Sequence, residues 1–381
     1  MKISKSYRST LSTPIAYFIS PHGFGHAARA AAVIEALHRV NPAFSFDLFT
    51  TVPVWFFEDS LTAPFIYHRV KTDLGLVQRS PFQEDIHETL RRLDTFLPFD
   101  PSLIDHLAQT VARQHSALIL CDISPLGLAV SRVAKIPSIL IENFTWDWIY
   151  QGYADVAESM KKHIRYLRPL FASADYRVQT EPVCQRRPAD LTTLPVSRKF
   201  RAPAGEIRRQ LQLPDDRKMV LITTGGIPGR HKFLSRLAGL TKVAFVMPGA
   251  GRTTEIRENV ILMPHRSDMY HPDLVNASDA VVGKTGYSTL AEIYAAGVPF
   301  GFVSSPDFRE SGKLNAYIQR EMSGIKIGVD PFEDGSWLSL VPELLELSRN
   351  QPRGLNGADQ IAEFICKLTG IGDKNIGWQE I

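Results

Sequence analysis

Ala277-Ser278-Asp279-Ala280-Val281-Val282-Gly283-Lys284-Thr285-Gly286-Tyr287-Ser288-Thr289-Leu290-Ala291-Glu292 decides the fold class. An apolar run ends in a glycine turn, and the turn opens directly into a helix. Strand, glycine loop, helix is the unit from which helix-covered parallel sheets are built. The unit occurs twice. Cys121-Asp122 to Lys135-Ile136-Pro137-Ser138 and Gly283-Lys284 to Gly297-Val298-Pro299-Phe300 both read as strand end, helix, turn, proline, strand. Lys284 follows Asp122 at the same offset as Pro299 follows Pro137. Shared ancestry or plain strand-helix-strand geometry produces such a match. Either way, each half sets a charged residue at the C-terminal end of a strand, the edge where open α/β sheets bind ligands. Two such edges facing each other enclose a cleft.

The rhythm extends outward from these two stretches. Ile15 to Ile19, Phe44 to Thr50, Ala117 to Cys121 and Ser138 to Ile141 read as strands, with helices over 26–40 and 126–134. Prolines at 188, 195, 203 and 214 interrupt it, and Pro195 to Ala204 reads as a linker. Strands resume at Met219 to Thr223 and Lys242 to Met247. The expected fold class is α/β: two Rossmann-like, doubly wound parallel-sheet domains facing a cleft. The expected division is 1–200 for the acceptor side, 205–357 for the donor side, and 358–381 as a helix and tail returning to the first domain.

Composition removes other classes. The 381 residues suffice for two domains of about 150 residues. A hydrophobic fraction of 44% and a charged fraction of 22% are those of a globular enzyme. A net charge of +3, from 43 basic and 40 acidic residues, does not point to nucleic acid. The short basic runs leave room for weak peripheral contact with an anionic membrane surface. Cys121, Cys184 and Cys366 are odd in number and lack C-x-x-C spacing, so neither a disulfide framework nor a thiolate zinc site is expected. No apolar run reaches 18 residues, which argues against stable membrane insertion. A cytoplasmic location is expected. No Asp-x-Asp pair or Cys/His cluster marks a metal site, so no metal and no other cofactor is expected.

Four loops carry chemistry. Pro21-His22-Gly23-Phe24-Gly25-His26-Ala27-Ala28-Arg29 joins a strand to a helix. Its glycines allow close backbone approach, and the helix start suits an anion. His26 there fits a general base, or a residue that merely caps or packs the helix start. Asp122 fits the carboxylate that orients such a histidine, or an N-cap of the next helix. Thr223-Thr224-Gly225-Gly226-Ile227-Pro228-Gly229 can cradle phosphate but lacks a Walker ending. Lys284 to Ser288 adds a cation and hydroxyl donors at a helix start, the makings of a diphosphate site. Glu292, farther along that helix, fits an acceptor for the two hydroxyls of a ribose, or an exposed helix glutamate. Phe144, Trp146, Trp148 and Tyr150 fit an aromatic wall for the acceptor, or ordinary packing.

Taken in this order, the four loops resemble those of the GT-B nucleotide-sugar glycosyltransferases. Met263-Pro264-His265-Arg266-Ser267-Asp268-Met269 through Gly297-Val298-Pro299, with Asn315-Ala316, is similar to the donor region of the MurG-like and UDP-glycosyltransferase families. Gly25-His26 and Asp122 fall where those families carry a catalytic histidine and its aspartate partner. The resemblance implies a nucleotide-sugar co-substrate, UDP-linked by first expectation, and a small-molecule, glycan or lipid-linked acceptor. It implies His26 and Asp122 as catalytic residues. It implies donor contacts from Gly225, Gly226, His265, Arg266, Lys284, Thr285, Gly286, Ser288, Glu292 and Glu310. Acceptor contacts would come from Gly23, Phe24, Gly25, Phe144, Trp146 and Trp148. One departure stands out. The acid-glutamine pair that contacts the sugar in these families is replaced by Ser311 and Gly312, which implies an unusual donor sugar, or Asp307 or Glu310 in its place, or no hexose transfer at all.

The resemblance implies inverting, metal-independent transfer. Gly23-x-Gly25-His26-x-x-Arg29 is also similar to the loop of a UDP-sugar hydrolase from pseudaminic acid synthesis, which implies water as an alternative acceptor. The N-terminal part of plant arabinokinase carries a similar Gly-Phe-Gly-His stretch, which leaves a non-catalytic nucleotide- or partner-binding scaffold as a third reading.

Overall fold

A computed structural model describes residues 13–155, 158–224, 232–351 and 354–370. Strands β1 (Thr13–Ile19), β2 (Phe44–Thr50), β3 (Phe65–Arg69), β6 (Leu118–Asp122), β7 (Ser138–Glu142), β8 (Tyr176–Thr180) and β9 (Leu191–Thr193) form one sheet, with the short hairpin β4 (Gln78–Ser80) and β5 (Gln83–Glu84) outside it. Its order is β3-β2-β1-β6-β7-β8-β9, parallel throughout. The second sheet holds β10 (Lys218–Thr223), β11 (Val243–Pro248), β12 (Glu255–Arg257), β13 (Val260–Met263), β14 (Ala280–Lys284), β15 (Phe300–Val303) and β16 (Gly324–Ile327). Its order is β12-β13-β11-β10-β14-β15-β16, with only the edge strand β12 antiparallel. The two orders share one plan. Strand β1 lies beside β6, and β10 beside β14, so each sheet reverses its winding there and opens a crevice at its strand ends.

The local causes are plain in the residues. Strand β1 is apolar and almost wholly buried, as a strand covered on both faces must be. Helix α1 (Gly25–Val40) is rich in alanine, which lets it lie close against the sheet. Helix α2 (Val54–Ser60) follows β2, α3 (Pro125–Ala134) follows β6, and α4 (Tyr287–Ala296) follows β14. Gly283 is required where it stands: a Cβ would lie 1.8 Å from the Thr223 carbonyl oxygen on the neighbouring strand. The last described helix, α5 (Gly357–Thr369), packs on α1 and β9, and Ile361, Ala362 and Ile365 join the first domain's core. Residues 194–203, between β9 and the next helix, have no regular structure. No helix among the described residues is long and apolar enough to cross a membrane.

Candidate active site

The two winding-reversal edges face each other across a cavity of about 750 Å³. Helix α1 enters it from the first domain and α4 from the second, and neither start has a capping side chain. Ser288 Oγ, in the first turn of α4, donates to the Gly25 carbonyl oxygen at 2.5 Å, which measures how closely the two helix starts approach. Both positive dipole ends therefore act on the same space.

Asp122, the last residue of β6, is fully buried. His26 Nδ1 lies 2.9 Å from its Oδ1, so the imidazole proton sits on Nδ1 and Nε2 keeps its lone pair. Arg29, one helical turn beyond His26, clamps the same carboxylate with two bonds, Nε to Oδ2 at 2.7 Å and Nη2 to Oδ1 at 2.6 Å. Asp122 is thus no helix cap; Ser124 caps α3. Burial opposes the Asp122 charge, but Arg29 and the hydrogen bonds from Arg29 and His26 outweigh it and hold the carboxyl below its ordinary pKa. Burial pushes His26 below the ordinary histidine value, and the Asp122 bond and charge only partly restore it. At neutral pH His26 is an uncharged imidazole fixed by an ionised carboxylate.

The network continues across the domain boundary. Arg29 Nη1 donates to Asn143 Oδ1 at 2.9 Å. Since the guanidinium only donates, the Asn143 amide must turn its Nδ2 away, and that group donates to Glu310 Oε1 of the second domain at 2.7 Å. Burial lifts the Glu310 carboxyl to about 7, against the opposing pull of Asn143, Arg29 and Lys284. Lys284 ends β14, in the place that Asp122 holds in the first sheet, and lines the cavity. Its pKa is lowered by burial, while Glu84 and Glu310 pull the other way.

The cavity gathers His26, Gly23, Phe24, Gly25, Phe144, His265, Arg266, Lys284, Thr285, Gly286, Ser288, Glu292 and Glu310. Gly225 and Gly226 lie outside the described residues. His265 packs against Phe24 and Trp55, with ring centroids at 5.3 and 6.0 Å, and Arg266 pairs with Asp59 of the first domain at 2.9 Å. Several expectations need correction. Trp146 is fully buried behind His22 and His26, edge-on to both rings, and does not reach the cavity. Trp148 is covered by the Arg309 guanidinium at 4.3 Å, and Tyr150 is spent on the Gly75 carbonyl. The short helix Trp146–Gln151 is buried almost all round, so only Phe144, just before it, surfaces as acceptor wall. Asp307 does not line the cavity; Glu310 does. Glu292 is buried and not an exposed helix residue. Its Oε1 accepts from Arg198 Nε at 2.9 Å, with Nη2 in ion-pair contact at the same distance, and its Oε2 is bonded by His271 Nδ1 at 2.8 Å. Each carboxylate oxygen holds one hydrogen bond, so acceptor capacity is left on both for ligand hydroxyls.

Arg29, Asn143 and Arg198 are the functional candidates that reading the residues alone did not single out. Arg29 left a trace, being the lone cation in the alanine-rich stretch 27–36. Asn143 is wholly buried and bonded on both sides. Arg198 sits in the linker and bonds Ser60 of the first domain and Glu292 of the second. Its partners are distant in the chain and leave no local pattern.

No protein-family model matches the chain. It is 26% identical over 363 residues to L-arabinokinase of Arabidopsis thaliana, a match covering 94% of this chain and 34% of that protein. The chain thus spans about a third of the length of the curated relative it matches. Among solved structures, it resembles the calicheamicin glycosyltransferase CalG4 with a TM-score of 0.61 at 14% identity, over 95% of this chain and all of that one. It resembles MurG of Acinetobacter baumannii with a TM-score of 0.55 at 13% identity, over 93% and 99% of the two chains. The fold is that of the GT-B glycosyltransferases. A Listeria monocytogenes structure bearing the name UDP-N-acetylglucosamine 2-epimerase shares it too, with a TM-score of 0.57 at 12% identity over 97% and 100%. Fold likeness at this identity leaves the reaction to be argued from the site.

Proposed function

We propose that the chain transfers a sugar from a nucleoside diphosphate, UDP in the first instance, to an acceptor hydroxyl, with inversion and without a metal ion. One observation carries the reading. A neutral histidine held by a buried carboxylate and a lysine beside an uncapped helix start face one cavity from opposite domains. The acceptor oxygen attacks the anomeric carbon, and its proton passes to His26 Nε2. The bond from that carbon to the diphosphate oxygen breaks, and its electron pair leaves with the nucleotide. Lys284 and the start of α4 stabilise the departing charge.

Binding tests the donor site. At 100 times its dissociation constant, the correct nucleoside diphosphate adds about 2.7 kcal/mol of stability, and Lys284→Ala is expected to abolish the corresponding melting shift. A shift retained in full by the variant would move the diphosphate elsewhere.

Glu292 gives a second test. With acceptor capacity left on each oxygen, it can supply at least one charge-assisted hydrogen bond to a ribose. Glu292→Ala is therefore expected to weaken ribonucleotide binding by about ten- to a hundredfold, the worth of one such bond, and to change 2′-deoxynucleotide binding little. Equal losses for both would leave Glu292 as a partner of Arg198 and His271 and remove the ribose role.

A further inference from the structure

The wall beside His26 is formed by His22, Leu76, Gln78, Phe144, Phe308 and Glu310. Two cross-domain straps fix it. From the first domain, the β4–β5 hairpin reaches over the second. Phe82, at its tip, is buried in the second domain's core, edge-on to Phe332 at 5.8 Å. Ser305 Oγ lies 2.9 Å from the Phe82 carbonyl oxygen and 3.0 Å from Glu84 Oε1. From the second domain, residues 304–310 reach back. The Tyr153 hydroxyl donates to the Asp307 carbonyl at 3.1 Å, Arg309 donates to the Trp148 carbonyl, and Phe308 sits edge-on to Phe144 at 6.5 Å. Widening this side of the cavity means breaking both straps.

Three properties of the wall define what fits. It is confined by the two straps, within a cavity of about 750 Å³ that receives the nucleotide sugar as well as the acceptor. Its rings are His22, Phe144 and Phe308, the last two edge-on to each other, because the larger Trp146 and Trp148 lie behind it. Among the described residues it offers no free cation of its own. Burial above all, with the repulsion of neighbouring Lys284, drives His22 down to about 3, which leaves its ring neutral, and Arg29 is committed to Asp122. Gly75 is essential here: its φ of +67° and the His22 ring, 2.4 Å from where a Cβ would stand, admit no side chain. An anionic acceptor would face Glu310, and the cations nearest to it, Lys284 and Arg29, are given to the diphosphate and to Asp122.

Building on the transfer reading above, we propose that the acceptor is a compact, uncharged polyhydroxyl compound of monosaccharide size, gripped by Gln78 and Glu310 through hydrogen bonds. One of its hydroxyl oxygens forms the new bond to the anomeric carbon and loses its proton to His26, while the nucleoside diphosphate departs with the electron pair of the broken bond.

The test uses the purified full chain with UDP-glucose, UDP-galactose, UDP-xylose and UDP-N-acetylglucosamine, first by melting shift and then by nucleotide release and product mass. Arabinose, glucose and myo-inositol are compared with quercetin and dodecyl glucoside. Compact polyols are expected to raise nucleotide release about tenfold or more over water, with a new glycoside of matching mass, and the two large acceptors are not. Gln78→Ala is expected to raise KM for the polyol without changing the melting shift from the nucleotide sugar. Phe308→Ala is expected to admit disaccharides. Stimulation by quercetin or dodecyl glucoside equal to that by the polyols would overturn the proposal while sparing the donor reading. So would undiminished release of free sugar with no acceptor present. Absence of any melting shift overturns the donor reading itself, and the proposal with it.

Discussion

Replacing His26 by alanine lowers nucleotide-sugar turnover by about 10²- to 10⁴-fold, the usual worth of a general base, while nucleotide still binds. The split follows from the geometry. His26 reaches the cavity from the first domain, whereas Lys284 and the start of α4 belong to the second. Unchanged turnover removes the base from the mechanism. The pH profile supplies a second check. Because His26 titrates below the ordinary histidine value, the reactive neutral form dominates at pH 7. The rate is therefore expected to be level above neutrality and to fall only at acid pH, with the inflection below 6.5. A profile that instead rises through pH 8 would assign the proton to another group. Stability shares the direction through His22, which binds a proton when unfolded but not when folded between its folded pKa of about 3 and the ordinary 6.5. The unfolded state binds more protons in that window, so this contribution is complete above 6.5 and is lost as the pH falls through it.

Arg29→Met carries the largest expected loss of stability. The guanidinium is the chief counter-charge to Asp122, which has no exposure to water. Stranding a buried carboxylate in this way costs about 3–5 kcal/mol, to be read from urea unfolding. The sign of the pH effect changes with the substitution. In the native chain the depressed Asp122 pKa adds stability at neutral pH that is lost as the pH falls through it. In the variant, burial is left largely unopposed, the carboxyl rises, and stability declines as the pH climbs through the raised value. The double variant Arg29→Met with Asp122→Leu is expected to recover most of the stability and none of the turnover, since a buried ion pair can be replaced by apolar groups but its orienting role cannot. A loss below about 1 kcal/mol in the single variant would show that water or His26 already satisfies Asp122.

What was legible in the residues was whatever depends on short spacing. The glycine turns after β1 and β14, and the equal offsets of Asp122 and Lys284, Pro137 and Pro299, reported two similar sheets because each motif lies within one strand-loop-helix unit. His26 and Asp122 were both legible for the same reason, each sitting at a strand end or helix start. What depends on distant pairing was not. The partners of Arg29, Asn143 and Arg198 lie on other elements or in the other domain, and no local pattern names them. The aromatic cluster misled for a related reason. Trp146 and Trp148 occupy a six-residue helix, but whether its faces are covered depends on residues 73–76 and 304–310, far away in the chain.

The return of helix α5 to the first domain has a consequence during synthesis. The core around β1 and α1 lacks Ile361, Ala362 and Ile365 until the ribosome has made the whole second domain. At roughly 5–20 residues per second, the interval between β9 and α5 amounts to about ten to thirty seconds. Through that time α1 waits with its α5-facing side uncovered, and the second domain folds beside an unfinished neighbour. The order of completion is therefore inverted, with the half made first being the last to close.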